Sequence, residues 1–166
     1  TLKMAEEAVE QVEHTEAGKN KVLVLYLPEC HESLAGIVAG RIREKYYRPV
    51  FVITDAREGA KGSGRSIDAY HMYDGLHQCK ELLGKYGGHK MAAGFSLEKK
   101  HIEALRDRLN RNCSLTEADL TEKVVIDMEL PFSCVTPEFI AQLEVLEPFG
   151  KGNVKPVFAG RDIELL

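Results

Sequence analysis

The chain has 166 residues, of which 44% are hydrophobic and 29% charged, and its formal net charge at pH 7 is −4. This composition is normal for a globular protein and excludes low-complexity disorder. The longest apolar runs, residues 22–27 and 50–53, fall far short of the ~20 residues that a bilayer span needs, so we expect no membrane segment. The opening sixteen residues are polar and acidic, which does not fit a signal peptide.

The four cysteines form no C-x-x-C pair and have no spacing suited to zinc. They therefore predict reduced thiols in a cytoplasmic protein. The charge is unevenly distributed, because residues 41–111 carry 15 Lys and Arg against 9 Asp and Glu, while the remainder is acidic. A basic middle allows an anionic ligand there, although a solvated charged face would look the same.

The chain begins with a helical pattern over residues 2–14, followed by a turn. Residues 22–27 are continuously apolar and predict a buried strand, and residues 32–46 repeat apolar side chains at helical spacing. A second buried strand follows at 50–53. Strand, helix and strand within ~30 residues predict a βαβ unit, and hence an α/β fold with a mixed, largely parallel sheet flanked by helices.

Residues 56–66 are rich in glycine and basic residues and predict a loop. The later pattern predicts helices at 69–84, 98–110 and 137–146, strands at 91–97 and 124–130, and a turn-rich link with one opening strand over 148–166.

The first candidate site lies within that loop, at Lys61-Gly62-Ser63-Gly64-Arg65-Ser66. Glycines such as Gly64 let the backbone approach a ligand, and successive N–H groups can form an anion-binding nest. Arg65 matches a phosphate with two parallel hydrogen bonds, while Ser63 and Ser66 add hydroxyl donors. A flexible Gly-Ser hairpin with one surface arginine explains the same residues.

The second candidate is the stretch from Gly87 to Gly94, which reads Gly-Gly-His-Lys-Met-Ala-Ala-Gly. Gly87 and Gly88 suggest a backbone pressed against a ligand, His89 can hydrogen-bond a phosphate oxygen, and Lys90 adds charge. A helix C-cap and an ordinary histidine form the alternative. Two glycine-rich segments flanking one predicted helix favour a shared site.

The third candidate is His31, at the predicted start of the helix after the first strand. Ligands of α/β sheets sit beyond the carboxyl ends of parallel strands, where helix N-termini favour anions. Capping by Ser33 or Glu32 is the alternative at this position. No cluster of Asp and His suited to two divalent ions is evident, so the sequence predicts no complete hydrolytic site.

Taken together, these residues resemble the RecJ family of single-stranded-DNA exonucleases, in the DHH phosphoesterase superfamily. Four stretches carry the resemblance, in order: His-Glu-Ser-Leu-Ala-Gly-Ile-Val-Ala-Gly-Arg (31–41), Gly-Ser-Gly-Arg-Ser-Ile (62–67), Gly-Gly-His-Lys-Met-Ala-Ala-Gly (87–94) and Leu-Glu-Pro-Phe-Gly-Lys-Gly-Asn (146–153). The chain departs from the family at Ser33-Leu34-Ala35, where Gly-Val-Ile is frequent, and at Tyr86, where superfamily relatives can have a third glycine.

The resemblance implies a DHHA1-type substrate-binding domain at 20–147, preceded by the end of a connector helix at 1–19. Residues 148–166 would then be a linker and the first strand of a truncated OB-fold. It also implies an N-terminal DHH domain, outside this sequence, that holds Mn²⁺ or Mg²⁺. The parent enzyme would be a metal-dependent 5′-to-3′ exodeoxyribonuclease of DNA repair and recombination, and this fragment alone would be inactive and bind no metal.

By resemblance, Ser63, Gly64, Arg65 and Ser66 contact phosphate near the DNA 5′ end. His89 is the catalytic candidate at the scissile or adjacent phosphate, with Gly87, Gly88 and Lys90 beside it, and His31 is a further contact. We expect a monomer whose partners are single-stranded DNA and the DHH domain in cis. The alternatives are a DHH-family phosphodiesterase for short oligonucleotides or cyclic dinucleotides, and a binding module without a catalytic parent.

Overall fold

A computed structural model describes residues 2–161 of the chain. It contains five helices and seven strands within that range, together with short 3₁₀ turns. The helices are α1 (Leu2–His14), α2 (Glu32–Tyr46), α3 (Met72–His77), α4 (Ile102–Arg111) and α5 (Pro137–Leu143). The strands are β1 (Leu23–Tyr26), β2 (Val50–Asp55), β3 (Ala60–Arg65), β4 (Leu83–Gly88), β5 (Ala92–Leu97), β6 (Met128–Glu129) and β7 (Phe158–Ala159).

The contacts divide the chain into two compact units, Thr1–Glu122 and Lys123–Leu166. The first unit holds a five-stranded sheet in the order β1-β2-β3-β5-β4. The predicted βαβ unit is present, because β1 and β2 run parallel and α2 connects them. The α/β fold with flanking helices is therefore confirmed.

The prediction that the sheet is largely parallel is wrong. Only β1 and β2 are parallel, whereas β2 with β3, β3 with β5, and β5 with β4 all pair antiparallel. The reason is that the glycine-rich stretch, expected as a loop, forms the central strand β3. Short turns join β2 to β3 and β4 to β5, and such turns can connect only antiparallel neighbours.

Side chains on the two faces of the sheet form two separate hydrophobic cores. On one face, residues such as Val50 and Val52 pack against α1 and α2. On the other face, Phe51 and Phe95 meet edge to face, with ring centroids 5.7 Å apart, and pack against α3 and α4. This alternation along β2 follows from the two-residue period of a strand and produces a three-layer arrangement.

Helix α4 also binds the outer edge of β1 through its polar side chains. The Asn110 amide accepts a hydrogen bond from the N–H of Val22 and donates one to the carbonyl of the same residue, both at 2.9 Å. The guanidinium of Arg106 donates to the carbonyl of Val24 at 2.9 and 3.1 Å. Backbone groups that a neighbouring strand would otherwise satisfy are thus satisfied by side chains.

The second unit contains the parallel pair β6–β7 and the helix α5, with Thr136 as its N-cap and Pro137 in its first turn. Of the strand predicted at 124–130, only two residues are in a strand, and they pair with β7 of the second unit. Residues 123–147 therefore belong to the second compact unit. That the DHHA1-type domain ends at residue 147 stays a prediction.

Candidate nucleic-acid interface

One face of the sheet is only partly covered by a helix. Helix α2 packs across β2 and β3, while β5 and β4 continue beyond it with small residues on the same face. Strand register places Ser63 beside Gly94, and Gly94 beside Gly87, across this open part of the sheet. Side chains that are small or absent in a row across three strands leave a groove.

The groove consists of two cavities that share Lys61, Gly94 and Phe95. The first is about 420 Å³ and extends from the start of α2, at His31, across Ser63. The second is about 390 Å³ and continues towards β4, where its lining residues are Lys85, Tyr86, Gly87 and Ser96. An extended chain can therefore cross the strands from α2 to the sheet edge.

Ser63 and Arg65 lie on the α2 side of β3, because their register partners Val52 and Val50 face the core under α2. Gly36 of α2 lies directly above them. A Cβ at Gly36 would come within 2.7 Å of Arg65 Nη2 and 3.0 Å of Ser63 Oγ. The missing side chain therefore makes room for a half-buried guanidinium and a hydroxyl at the helix-covered end of the groove.

His89 lies in the turn between β4 and β5. Its Nδ1 accepts a hydrogen bond from the N–H of Met91 at 3.2 Å, so a neutral imidazole carries its proton on Nε2 and presents a donor there. Gly88, just before it, has φ of +147°, and a Cβ there would lie 2.4 Å from the carbonyl oxygen of Ala92. Only glycine fits this turn, so Gly88 has a structural role.

Arg65 and His89 are held at the same end of the sheet by a shared neighbour. Arg65 is the register partner of Ala92 in β5, and the N–H of His89 donates to the carbonyl of Ala92 at 2.8 Å. The N–H of Ser66 in turn donates to the carbonyl of Met91 at 2.9 Å. The structure therefore brings the two sequence candidates together through two adjacent strands.

Of the sequence candidates, only His31, Ser63 and Gly87 line either cavity, whereas Gly64, Arg65, Ser66, Gly88, His89 and Lys90 do not. Ser66 is buried, and its hydroxyl donates to the carbonyl of Tyr70 at 2.7 Å. Gly64 lies on the opposite face, where a Cβ would come within 2.7 Å of the Phe51 ring. The expected anion nest does not form at residues 61–66 of the described chain. Strand β3 pairs with β2 on one side and β5 on the other, so its backbone N–H groups are used in hydrogen bonds within the sheet.

His31 is the N-cap of α2 and the outermost residue of the groove on that side. Its Nδ1 accepts from the N–H of Ser33 at 3.3 Å and lies 2.8 Å from the Ser33 hydroxyl. The capping alternative is thus realised by His31 itself. Because the ring nitrogen that caps the helix is Nδ1, Nε2 remains as the donor towards the groove.

Two residues here were not singled out from the sequence: Lys85, which lines the groove, and Gly36, which lies above Ser63. A Cβ at Gly94 would meet nothing closer than 3.7 Å, and one at Gly87 would meet nothing within 4 Å. Packing therefore does not require glycine at Gly87 or Gly94, in contrast to Gly62, Gly64 and Gly88. The glycine-rich stretch from Gly87 to Gly94 was the indication in the sequence, because its first and last glycines both line the groove.

The groove is mainly basic. Lys61 is paired with Glu32 at 2.6 Å, and this ion pair lowers the pKa of the Glu32 carboxyl below its ordinary value. Within residues 2–161, Arg65, Lys85 and Lys90 have no carboxylate within 4.0 Å. Unpaired cations beside exposed glycine backbone suit a ligand with repeated anionic groups.

The described residues offer no metal site of their own. No group of three or more His, Cys, Asp or Glu side chains between residues 2 and 161 could hold an ion. Over the same range, no helix combines the length and apolarity needed to cross a bilayer. Apart from Glu32, the charged side chains that line the groove are lysines, which suit phosphate rather than a cation.

The family comparison agrees with this geometry, since residues 19–115 match the DHHA1 domain. The chain belongs to the DHHA1 domain family. Residues 126–166 in addition match the RecJ OB domain. The DHHA1 match contains all of β1 to β5, and therefore every residue of the groove.

Two RecJ exonucleases are similar to this chain over most of its length. The single-stranded-DNA-specific exonuclease RecJ of Bacillus subtilis is 36% identical over 93% of the chain, and that of Escherichia coli is 37% identical over 83%. The chain spans 20% and 25% of those proteins. Both relatives are single-stranded-DNA-specific exonucleases.

A solved structure, RecJ of Thermus thermophilus in complex with Mn²⁺, shows the same arrangement. It superposes with a TM-score of 0.82 at 31% identity and covers 96% of this chain and 24% of its own. The Mg²⁺ complex of the same protein gives a TM-score of 0.80. The DHHA1 domain described here is therefore a RecJ-type domain, and it corresponds to about a quarter of such a protein.

Proposed function

We propose that this chain is the DNA-binding part of a RecJ-type 5′-to-3′ single-stranded-DNA exonuclease that acts in DNA repair and recombination. The observation that carries the proposal is the groove, in which Lys61 and Lys85 border exposed glycine backbone across β3, β5 and β4, with Arg65 and His89 at one end of the same strands. An extended single strand repeats one phosphate per nucleotide, and such a chain matches several cations spread across neighbouring strands.

Each groove residue has a distinct proposed role. Arg65 offers two parallel N–H donors to one phosphate, with the Ser63 hydroxyl beside it. Gly87 and Gly94 allow the sugar-phosphate chain to lie against the sheet. The Nε2–H of His89 donates to the scissile or adjacent phosphate and stabilises charge that develops there. Lys90 adds a positive charge, and His31 offers a hydrogen bond from its Nε2–H.

Hydrolysis requires groups that the described residues lack. We propose that a DHH domain outside this sequence holds Mn²⁺ or Mg²⁺, because the similar RecJ of Thermus thermophilus has been solved in complex with each of these ions. The metal ions would supply an activated water, and the DHHA1 groove would hold the strand that is cut. The chain alone would then bind single strands as a monomer in the cytoplasm, without cutting them.

We expect Arg65→Ala to weaken binding of a single-stranded oligonucleotide about 10-fold, because one charge-assisted contact to phosphate is lost. The slope of log affinity against log salt should fall by about 0.7, which is the value of one phosphate contact on a single strand. Fluorescence anisotropy at several salt concentrations measures both quantities. The matched control is Arg111→Ala, which removes the same charge from α4 on the other side of the sheet.

Equal affinities for the Arg65 and Arg111 variants would contradict the proposed interface. Competition separates the alternative substrates, since a cyclic dinucleotide that displaces a longer strand at equal concentration would favour a small-substrate phosphodiesterase. Turnover of the oligonucleotide by the purified chain with Mn²⁺ would contradict the division of labour between the two domains.

A further inference from the structure

An ion pair joins helix α2 to strand β3 inside the groove. The ammonium of Lys61 donates a hydrogen bond to the carboxylate of Glu32 over 2.6 Å, although the two residues are 29 positions apart in the chain. Both residues line the first cavity. Among the described residues that line either cavity, Glu32 is the only one with a carboxylate, whereas Lys61 and Lys85 are cations.

Lys61 lies where the two cavities meet, because it lines both of them. It is two residues before Ser63 in β3 and therefore projects from the same face of the sheet. Its register partner in β5 is Ser96, which lines the second cavity. A phosphate chain that passes from one cavity to the other therefore comes close to the Lys61 ammonium.

The charge of Lys61 is already neutralised before such a chain arrives. The hydrogen bond from Lys61 lowers the pKa of the Glu32 carboxyl, so Glu32 is charged at neutral pH. The pair is open to water, with 53% of the Lys61 side chain and 52% of the Glu32 side chain exposed, and an exposed pair contributes little to stability. An incoming phosphate can therefore break it. A phosphate and a carboxylate repel each other at the same ammonium, so the two anions compete for Lys61.

We propose that Glu32 is a built-in competitor that weakens the binding of DNA to the groove, because it occupies Lys61 until a phosphate displaces it. This inference rests on the proposed function. Lys61 then has an anionic partner both before and after the strand binds, so a departing phosphate does not leave an unpaired cation behind. The contact is therefore easily exchanged, which suits a strand that advances through the groove after each cut.

The ion pair also has a purely structural explanation. Glu32 lies in the first turn of α2, where a negative side chain interacts favourably with the helix dipole, and its contact with Lys61 attaches the helix to β3. Under that explanation, removal of the carboxylate changes DNA affinity only as the removal of any negative charge would. Competition predicts in addition that the effect of Glu32 depends on the presence of Lys61.

The test uses the full chain, a fluorescent oligothymidylate and anisotropy at several salt concentrations. We expect Glu32→Gln to bind the strand about 5-fold more tightly, because Lys61 then contacts phosphate without losing another partner. The slope of log affinity against log salt should become steeper by up to about 0.7, which is the value of one phosphate contact. Lys61→Gln should weaken binding about 2-fold in the original chain but about 5-fold in the Glu32→Gln chain, since only the original chain regains an ion pair when the phosphate leaves.

Glu98→Gln is the matched control. It breaks a similar exposed ion pair, with Lys100 at 2.7 Å, and Glu98 lines neither cavity of the groove. A gain in affinity from Glu32→Gln that is no larger than the gain from Glu98→Gln would overturn the competition. An equal effect of Lys61→Gln in the original and Glu32→Gln chains would also overturn it.

The two inferences can fail separately. If the competition is absent but the groove holds phosphate, Arg65→Ala still weakens binding and the proposed function stands. If none of these chains binds the strand, both inferences fail. Both side chains of the pair are exposed and His31 caps α2, so we expect Glu32→Gln to be folded, and thermal unfolding checks this. Glu32→Ser removes the same carboxylate and repeats the comparison with a second variant.

Discussion

Gly36 shows how one absent side chain in a helix shapes a binding groove on the neighbouring sheet. Glycine lowers helix stability by about 1 kcal/mol relative to alanine, so its position in the middle of α2 has a cost. The compensation is the space that Arg65 and Ser63 occupy beneath the helix. Gly40, one turn later in α2, has no atom within 4 Å of its added Cβ and serves as a comparison.

We expect Gly36→Ala to fold normally but to bind single-stranded DNA more weakly than the original chain. The new Cβ would displace the end of the Arg65 side chain, which is flexible enough to move without disturbing the fold. The displaced guanidinium would then lose its contact with phosphate. Gly40→Ala should instead raise the free energy of unfolding by about 0.5–1 kcal/mol and leave the affinity unchanged. Urea unfolding and anisotropy measure the two effects. Equal affinities for the two variants would show that Gly36 has no part in the site.

Asp55, at the end of β2, links the sheet to the segment before α4. Its carboxylate is 2.6 Å from Lys99 Nζ and accepts a hydrogen bond from the Tyr26 hydroxyl at 2.5 Å. The lysine, and then the tyrosine, lower the pKa of Asp55 in the folded state. A carboxyl with a lowered folded-state pKa contributes stability above its ordinary pKa and loses that contribution as the pH falls through the folded value.

Asp55→Asn should therefore reduce stability near neutral pH, and its difference from the original chain should shrink as the pH falls below the ordinary carboxyl range. Urea unfolding at a series of pH values measures this convergence. Glu16→Gln is the control, because its partner Lys19 and the carboxylate itself are both well exposed and the pair screens easily. A difference between Asp55→Asn and the original chain that does not depend on pH would contradict the linkage.

Among the helices and strands, the sequence predicts those that have a clear local pattern, such as an apolar run, helical spacing or capping residues. Apolar runs in β1 and β2 and the helical spacing of α2 identify the βαβ unit, and Pro137 with Thr136 identifies the start of α5. The prediction fails at β3, where glycine and serine indicate a loop. The strand forms because Gly62 and Gly64 accommodate the rings of Phe95 and Phe51 from the neighbouring strands. That information is non-local, so a pattern within β3 could not reveal it.

The same limit applies to the groove. Arg65, Ser63 and His89 are identifiable from their residue types and glycine-rich surroundings, but the face on which each lies depends on the register of β3, β5 and β4. Ser66 has the same hydroxyl as Ser63, yet it is buried against Tyr70.

At the level of strands, Gly62→Ala should lower the free energy of unfolding by about 1–3 kcal/mol, because its Cβ would lie 2.1 Å from the Phe95 ring, which cannot move without repacking the core. Gly94→Ala, in the neighbouring strand but facing the groove, should change stability by less than about 1 kcal/mol. Chemical denaturation compares the two. If both variants are equally stable, then the proposed packing reason for glycine in β3 is wrong.

At the scale of the whole chain, the two compact units differ in how well they bury apolar side chains. Both hydrophobic cores consist of residues before Glu122. In the second unit many large hydrophobic side chains are exposed, among them Phe132 at 72% and Val145 at 84%. The first unit therefore has what it needs to fold by itself, whereas the second presents an apolar surface of the kind that normally contacts other protein.

A chain that ends at Glu122 should unfold in one cooperative transition and retain oligonucleotide binding through its groove. The full chain should bind the apolar dye ANS, and the shortened chain should bind much less, because the exposed apolar residues are concentrated after Lys123. Circular dichroism and dye fluorescence measure these properties. Loss of the cooperative transition on shortening would show that the first unit depends on the second.

The contact of α4 with β1 sets an order of events during synthesis. Asn110 and Val22 are 88 residues apart, and Arg106 and Val24 are 82 apart, yet these side chains satisfy the outer backbone groups of the first strand. On the ribosome, β1 emerges long before α4, which binds its outer edge, has been translated. At about 5–20 residues per second, that interval lasts several seconds, during which a nascent apolar strand has an open edge that chaperones can recognise.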